Sequence, residues 1–316
     1  MLGDLASGSD GEIRVFDTSG RLLRRFGRLG SGPGEFARLW SAWLLSNDTI
    51  LVYDIAARRL THLSPAGSLI TTMQVPLAGT AQVLGRAATG DVVAFDLPAR
   101  LPLQAGATTV DSATIVSTRP GGTEVREIVR IPWSTVHGTA IPPSGHVIRN
   151  GLPFTPAGIV AFGGEHLYVG YGDRWEIEQR DVDGSLVRSL VVPLERRLLT
   201  KQMLDEWRQS RLDRAPPAQR ADLARLIDGL PSPEERLPAF DRLFVDQTGS
   251  IWIRQFVAPN EESALWVVLA PDGGVAGTLT LSVHYRITFA DHEVLIGVLQ
   301  SPDTPERVIV YDILRR

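Results

Sequence analysis

Residues 11–36, GEIRVFDTSGRLLRRFGRLGSGPGEF, decide the fold. Two short apolar-rich runs between Glu12 and Phe26 flank a turn ending in Gly20, the pattern of two strands joined as a hairpin. The tail that follows, GRLGSGPGEF, raises the question of a ligand-binding loop. Gly30, Gly32 and Gly34 permit backbone conformations closed to other residues, Pro33 fixes one φ angle, and Phe36 is placed to plug the wedge between two sheets. A phosphate-cradling loop would open a helix. Here residues 39–45 read as a strand, so the tail reads as a connector between sheets.

The same punctuation recurs along the chain. One kind of tight turn, at Asn47-Asp48, Thr89-Gly90, Gly163-Gly164, Thr248-Gly249 and Asp291-His292, precedes an apolar run. A second kind ends at Gly20, Gly67, Gly122, Gly184 and Gly273. The two kinds alternate, so each unit holds four short strands, A to D. Their nearly continuous apolarity predicts sheets covered on both faces. The spacing from Asn47 to Gly90, repeated from Gly249 to His292, falls within the roughly 40–50 residues of a propeller blade. The chain opens with a C–D hairpin and closes on strands A, B and C. Four whole units lie between, which allows five blades closed by pairing the termini, or six blades with about three strands missing upstream. The expectation is an all-β, six-bladed β-propeller of four-stranded antiparallel blades with an incomplete first blade, forming a single domain over residues 1–316.

Composition bounds the rest. With 316 residues and 43% hydrophobic content the chain can bury a large core. A net charge of −4, acidic and basic residues being mixed along the chain, leaves no basic stripe for nucleic acid. There is no cysteine, so disulfides, thiolate metal sites and cysteine nucleophiles are all excluded. No apolar run approaches the ~18 residues of a membrane span, and Met1–Ser7 carries no export signal. A monomer without nucleic-acid partner is expected.

The stretch 11–36 resembles the repeat junction of six-bladed β-propellers with NHL-like repeats, in which a strand C, a Gly-ended turn and a strand D lead into a GxGPGEF connection. RLFVDQTGSIWIRQF and YGDRWEIEQRDVDGSLVRSL are similar to blades of that family. The resemblance implies a bacterial protein of periplasmic or extracellular address. Because such proteins open with an export signal and a full first blade, Met1 reads as a truncated start, with two to three strands and an export segment expected upstream.

In a four-stranded meander the A–B and C–D turns leave one edge of the sheet, the B–C and D–A connections the other. Every long excursion falls in the second set: a B–C connection over about Leu97 to Asp111 and D–A connections over Ile131 to Pro156 and Leu194 to Leu237. Loops on a rigid scaffold carry function, so this edge is the expected binding face. The 194–237 insertion, between blades four and five, reads as two helices. Thr200 caps the first, with Met203, Leu204, Trp207 and Arg211 on one face; Pro216-Pro217 breaks the chain before Leu223, Leu226, Ile227 and Leu230. It reads as a hairpin packed over the ring with Trp207 as anchor, or as a lid.

No catalytic residue, metal ligand or cofactor follows from any motif. The six histidines show no HExxH pattern, although His137 and His146 share one D–A connection. Asn47, Asn150 and Asn260 make a thin supply for a calcium-type site, with Asn150 alone placed on the elaborated face. Asp17, Asp54 and Asp312 read as strand-ending carboxylates. The favoured candidate is Tyr171-Gly172-Asp173-Arg174-Trp175, which brings a carboxylate, a guanidinium and two aromatics to the long-loop face. Arg149 and Asn150 are expected to approach it, and Trp207 completes the candidate site. The alternative is an Asp173–Arg174 clamp between loops. The function expected is a non-enzymatic propeller scaffold binding an unidentified small molecule or protein on the long-loop face, with a metal-dependent hydrolase or lyase using the central channel as the alternative.

Overall fold

The computed structural model describes residues 2–4, 11–16, 21–45, 49–77, 81–97, 102–141, 144–163, 165–301 and 304–314. The turns expected at Asn47-Asp48, Gly164 and Gly20, with Asp17, lie outside them. The described strands form six antiparallel sheets. Sheet one holds β1 (Leu2–Asp4), β2 (Ile13–Phe16) and β3 (Leu22–Phe26). Sheet two holds β4 (Leu39–Leu44), β5 (Ile50–Asp54), β6 (Arg59–Leu63) and β7 (Leu69–Gln74). Sheet three has five strands, β8 (Gln82–Arg86), β9 (Val92–Asp96), β10 (Thr108–Thr118), β11 (Val125–Ile141) and β12 (His146–Gly151). Sheet four runs β13 (Ile159–Gly163), β14 (His166–Gly170), β15 (Glu176–Asp181) and β16 (Leu186–Val191). Two helices follow, α1 (Lys201–Arg214) and α2 (Arg220–Asp228). Sheet five is β17 (Phe240–Val245), β18 (Ile251–Gln255), β19 (Ser263–Leu269) and β20 (Val275–Ser282), and sheet six is β21 (Tyr285–Ala290), β22 (Val294–Ser301) and β23 (Thr304–Asp312).

The fold is an all-β, six-bladed propeller. Sheet one gains a strand that the sequence did not announce, since β1 pairs with β2 through Leu2–Phe16, Gly3–Val15 and Asp4–Arg14. The chain therefore opens on three strands rather than on a C–D hairpin. The first and last strands belong to different sheets among the described residues, as a sixth blade requires and a five-bladed closure does not.

The chain divides into two compact units, residues 1–97 with 114–129, and 98–113 with 130–316. In the first unit, strand β5 is buried from end to end, as its uninterrupted Ile-Leu-Val-Tyr run dictates, whereas β7 is exposed along nearly its whole length. Phe36 is fully buried among Ile13, Leu39, Ile50, Val52 and Leu63, which plugs sheets one and two together. In the connector before it, Gly27 and Gly34 take positive φ, while Gly32 does not and instead donates its N–H to Glu35 at 2.9 Å. In the second unit, Trp175, Ile177, Phe240, Leu243 and Ile253 make the core of sheets four and five, and Trp252, Trp266, Tyr285 and Ile287 that of sheets five and six.

The Gly-ended C–D turns fasten adjacent sheets at their outer strands. In the first unit a Cβ on Gly67, at φ +84°, would lie 2.7 Å from Phe26 of β3, and Arg24 of the same strand donates to the Pro65 carbonyl at 2.7 Å. In the second, a Cβ on Gly273, at φ +96°, would lie 2.7 Å from Leu190 of β16, and Arg188 donates to the Asp272 carbonyl at 2.5 Å. In sheet three the positive-φ residue is Gly121, not Gly122, and its N–H donates to Gln74 of β7 at 2.9 Å.

The expected D–A loop over Ile131 to Pro156 is for the most part a second hairpin. Strand β11 continues to Ile141 and β12 returns against it, from Ile141–His146 to Val136–Gly151. His137 and His146 thus stand four rungs apart, about 14 Å along the ladder, and His137 is buried with Nδ1 2.8 Å from the Thr108 hydroxyl. These two histidines do not share a site.

Candidate functional site

The segment Tyr171–Trp175 joins β14 to β15 in the second unit. Its turn rests on Gly172, at φ +77°, a conformation that costs glycine little. Its backbone is tied down on both sides: the Gly172 carbonyl accepts from the Ala239 N–H at 2.8 Å, and the Asp173 carbonyl accepts from Arg196 Nη1 at 3.0 Å. Tyr171 is half-buried, while Asp173 and Arg174 are exposed. Arg174 does not clamp Asp173. Its Nε reaches Glu176 Oε2 at 2.8 Å, with the side chain 72% exposed, a surface pair of little stabilising value. Trp175 leaves the face altogether: it is buried in the core, its ring tilted against Phe240 at 6.0 Å between centroids.

Arg149 and Asn150 lie on β12, opposite Gly138 and His137. Arg149 forms an ion pair with Asp111, and Asn150 donates to the Thr139 hydroxyl at 3.0 Å. These bonds stay within sheet three, with Asp111 on β10 and Thr139 on β11, rather than reaching the Tyr171–Arg174 loop. The reason is the strand extension itself, which turned the expected loop into a ladder with its own partners.

Between sheets four and five the insertion stands on a short ladder. Leu198 and Arg236 form an antiparallel bridge, flanked by Leu199 N–H to the Glu235 carbonyl at 2.8 Å and Leu237 N–H to the Arg197 carbonyl at 2.9 Å. Two arginines pin this stalk. Arg196 donates to the carbonyls of Leu237, Asp173 and Arg236 and to Glu234, and Arg197 holds Glu261 at 2.6 Å and the Phe256 carbonyl. Burial raises the Glu261 pKa, but the Arg197 bond and the Ala258 N–H outweigh it, so the carboxyl lies below its usual range. Thr200 caps α1 by accepting the Met203 N–H at 3.2 Å. Trp207 packs edge-on against Phe154 at 6.2 Å, in a small cluster with Leu199, Met203, Leu204, Leu237, Phe256 and Ala258. Arg208 grips Asp228 with two bonds and ties α1 to α2.

Beside α1 opens a shallow depression of about 310 Å³, lined by Glu206, Gln209, Ser210, Asp213, Arg214 and Asn260. Asn260, at φ +62°, belongs to the connection from β18 to β19, which leaves sheet five on the long-loop edge. Its place on that edge was readable from the B–C rule, although the sequence reading reserved the edge for Asn150, which instead stands on β12. No group of three or more His, Asp or Glu side chains among the described residues is arranged to hold a metal ion, and no described helix is long and apolar enough to cross a membrane.

A family profile described as a 6-bladed beta-propeller matches residues 7–85. No curated protein matches the chain in sequence. Among solved structures, the chain is similar to a candidate exported protein of Bacteroides fragilis, at 14% identity and a TM-score of 0.50, over 92% of this chain and 74% of that one. It is likewise similar to a member of the DUF4221 family from Bacteroides vulgatus, at 13% identity and a TM-score of 0.52, over 95% of this chain and 84% of that one. At these identities the likeness is one of fold.

Proposed function

We propose that the protein is a non-enzymatic binding propeller, one domain with a helical insertion at 194–237, that takes a small molecule or a protein partner on its long-loop edge. The observation carrying this reading is the immobilised backbone beneath exposed side chains. Tyr171, Asp173 and Arg174 stand on a loop bonded to Arg196 and Ala239, so their presentation costs little ordering entropy when a partner binds. An exposed guanidinium on the same loop as the half-buried Tyr171 suits a partner that brings a carboxylate or another acidic group. Arg149, Asn150 and Trp207 support neighbouring elements of the same unit. A periplasmic or extracellular address accords with the description of the Bacteroides fragilis neighbour as a candidate exported protein.

The test is Arg174→Ala, assayed against a ligand retrieved from a library of acidic small molecules and peptides. The expected result is binding weakened at least tenfold with a melting temperature within about 1 °C of the parent, because surface substitutions away from packed features change stability by less than ~0.5 kcal/mol. A lowered melting temperature with unchanged affinity overturns the assignment.

A further inference from the structure

The inner strands of sheets five and six carry three guanidiniums and one matching carboxylate. On β17 and β18, Arg242 stands directly opposite Arg254. Arg254, 11% exposed, is neutralised by Asp241 at 2.6 Å, and the other Asp241 oxygen accepts the Val257 N–H at 3.2 Å. Arg242 is half-buried and has no hydrogen-bond or ion-pair partner among the described residues. Arg286, the second residue of β21, is half-buried too, but Tyr285 and Ile287 on either side of it pack into the core shared with sheet five, so it stands on the other face of sheet six. Side chains alternate across a strand. Leu243 packs into the core shared with sheet four and Phe244 into the core shared with sheet six, so Arg242 projects toward the sheet-six side, as Arg254 does beside Trp252. Arg242 and Arg254 lie toward the long-loop edge of sheet five, Arg254 one residue from the end of β18.

Burial first, and then the neighbouring charge of Arg254, push the Arg242 guanidinium below its usual range, with Asp241 pulling the other way and Arg286 adding to the depression. A cation taken out of water is ordinarily paired. Asp241 is already committed to Arg254 and to a backbone N–H, which leaves positive charge to be matched from outside the chain. We propose that Arg242 and Arg254 form a receptor for the oxyanion group, carboxylate or phosphate, of a small ligand at the long-loop end of sheet five, on its sheet-six side. A guanidinium fork meets such a group with two parallel N–H donors, for which a lysine in its place would be a poor substitute. The site is distinct from the Tyr171–Arg174 loop and stands or falls without it.

The experiment titrates the whole chain with inorganic phosphate and, separately, with succinate, against sodium chloride at matched ionic strength, following the melting temperature and then calorimetric affinity. The expected result is a saturable upward shift with at least one oxyanion that chloride does not give, the stronger of the two naming the ligand group. Arg242→Gln should weaken that affinity at least tenfold and, without ligand, melt no lower than the parent, because it removes an unmatched half-buried charge. Lys201→Gln, which removes an equal charge from an exposed helical pair, should bind as the parent does. No response to either anion, undiminished affinity in Arg242→Gln, or an Arg242→Gln chain that melts lower or fails to fold would overturn the proposal, the last by showing the guanidinium to be structural.

Discussion

Asp54 shows how much one side chain can hold. Fully buried at the end of β5, it accepts the N–H groups of Ala37 at 2.7 Å and of Arg38, Ala56 and Ala57 at 3.1 Å, with Arg59 3.8 Å away. Asp54→Ala would orphan four backbone donors and leave the nearly buried Arg59 guanidinium, which donates to the Ser31 and Glu35 carbonyls, without its counter-charge. A loss of about 3–5 kcal/mol is expected, the cost of breaking a buried charge pair, measurable as a lowered urea midpoint. The sequence reading of Asp54 as a strand-ending carboxylate anticipated this because the role is local. Asp312, read the same way, lacks a comparable bond among those the structure shows. Glu261 invites a pH test. Its folded pKa lies below the unfolded value, so its contribution is complete above the unfolded pKa of about 4.3 and is lost as pH falls through that value toward the folded one. Glu261→Gln should therefore melt lower than the parent at pH 7, and the gap should close below about pH 4. A gap that persists at low pH would mean that packing, not the Arg197 bond, holds the carboxyl.

The helical insertion and the β11–β12 hairpin were unequally legible for one physical reason. Helices α1 and α2 are specified by neighbours: Thr200 as cap, apolar residues three and four apart, and a Pro-Pro break, all within one stretch of chain. The outer half of β11 is specified by distant partners, His146–Gly151 across one edge and Thr108 against His137, while Pro132, Gly138 and Pro142-Pro143 look locally like loop. Local signals therefore found the one and misread the other, and Arg149 and Asn150 were assigned to a loop they do not form. The stalk predicts independence of parts. With Leu199 and Glu235 already bonded, replacing residues 200–234 by a short Gly-Ser turn closes a small loop and leaves the blades folded. Far-UV circular dichroism should lose its helical component and keep its strand signal. Trp207→Ala should cost about 2 kcal/mol, below the range for a fully buried aromatic. Hydrogen exchange should quicken in α1 and α2 before it does in β17–β20.

Across the molecule, the alternation of turns carried nearly the whole architecture, because each blade repeats the same local grammar and errors in one are outvoted by the others. What it could not carry was β1, whose three residues gain strand character only through their pairing with β2. The candidate site fared less well than the fold, since the pairing of Arg174 with Glu176 and the burial of Trp175 depend on which way side chains turn, and no spacing records that. The glycine fastenings predict a paired result. Gly67→Ala and Gly273→Ala each force a Cβ into positive φ and within 2.7 Å of Phe26 or Leu190, so each should lose about 1–3 kcal/mol in thermal or urea unfolding. An alanine tolerated at both positions would show that the outer strands yield. That fastening also has a genealogical side. At Gly67 and Gly273 its two halves occupy equivalent places in successive repeats, the glycine in one and the apolar D-strand residue in the one before it, so copying or losing such a repeat leaves a glycine of this kind facing a suitable neighbour. A lineage built this way can change its number of repeats by recombination in one step. It can also let most other positions drift, provided a glycine returns at each junction.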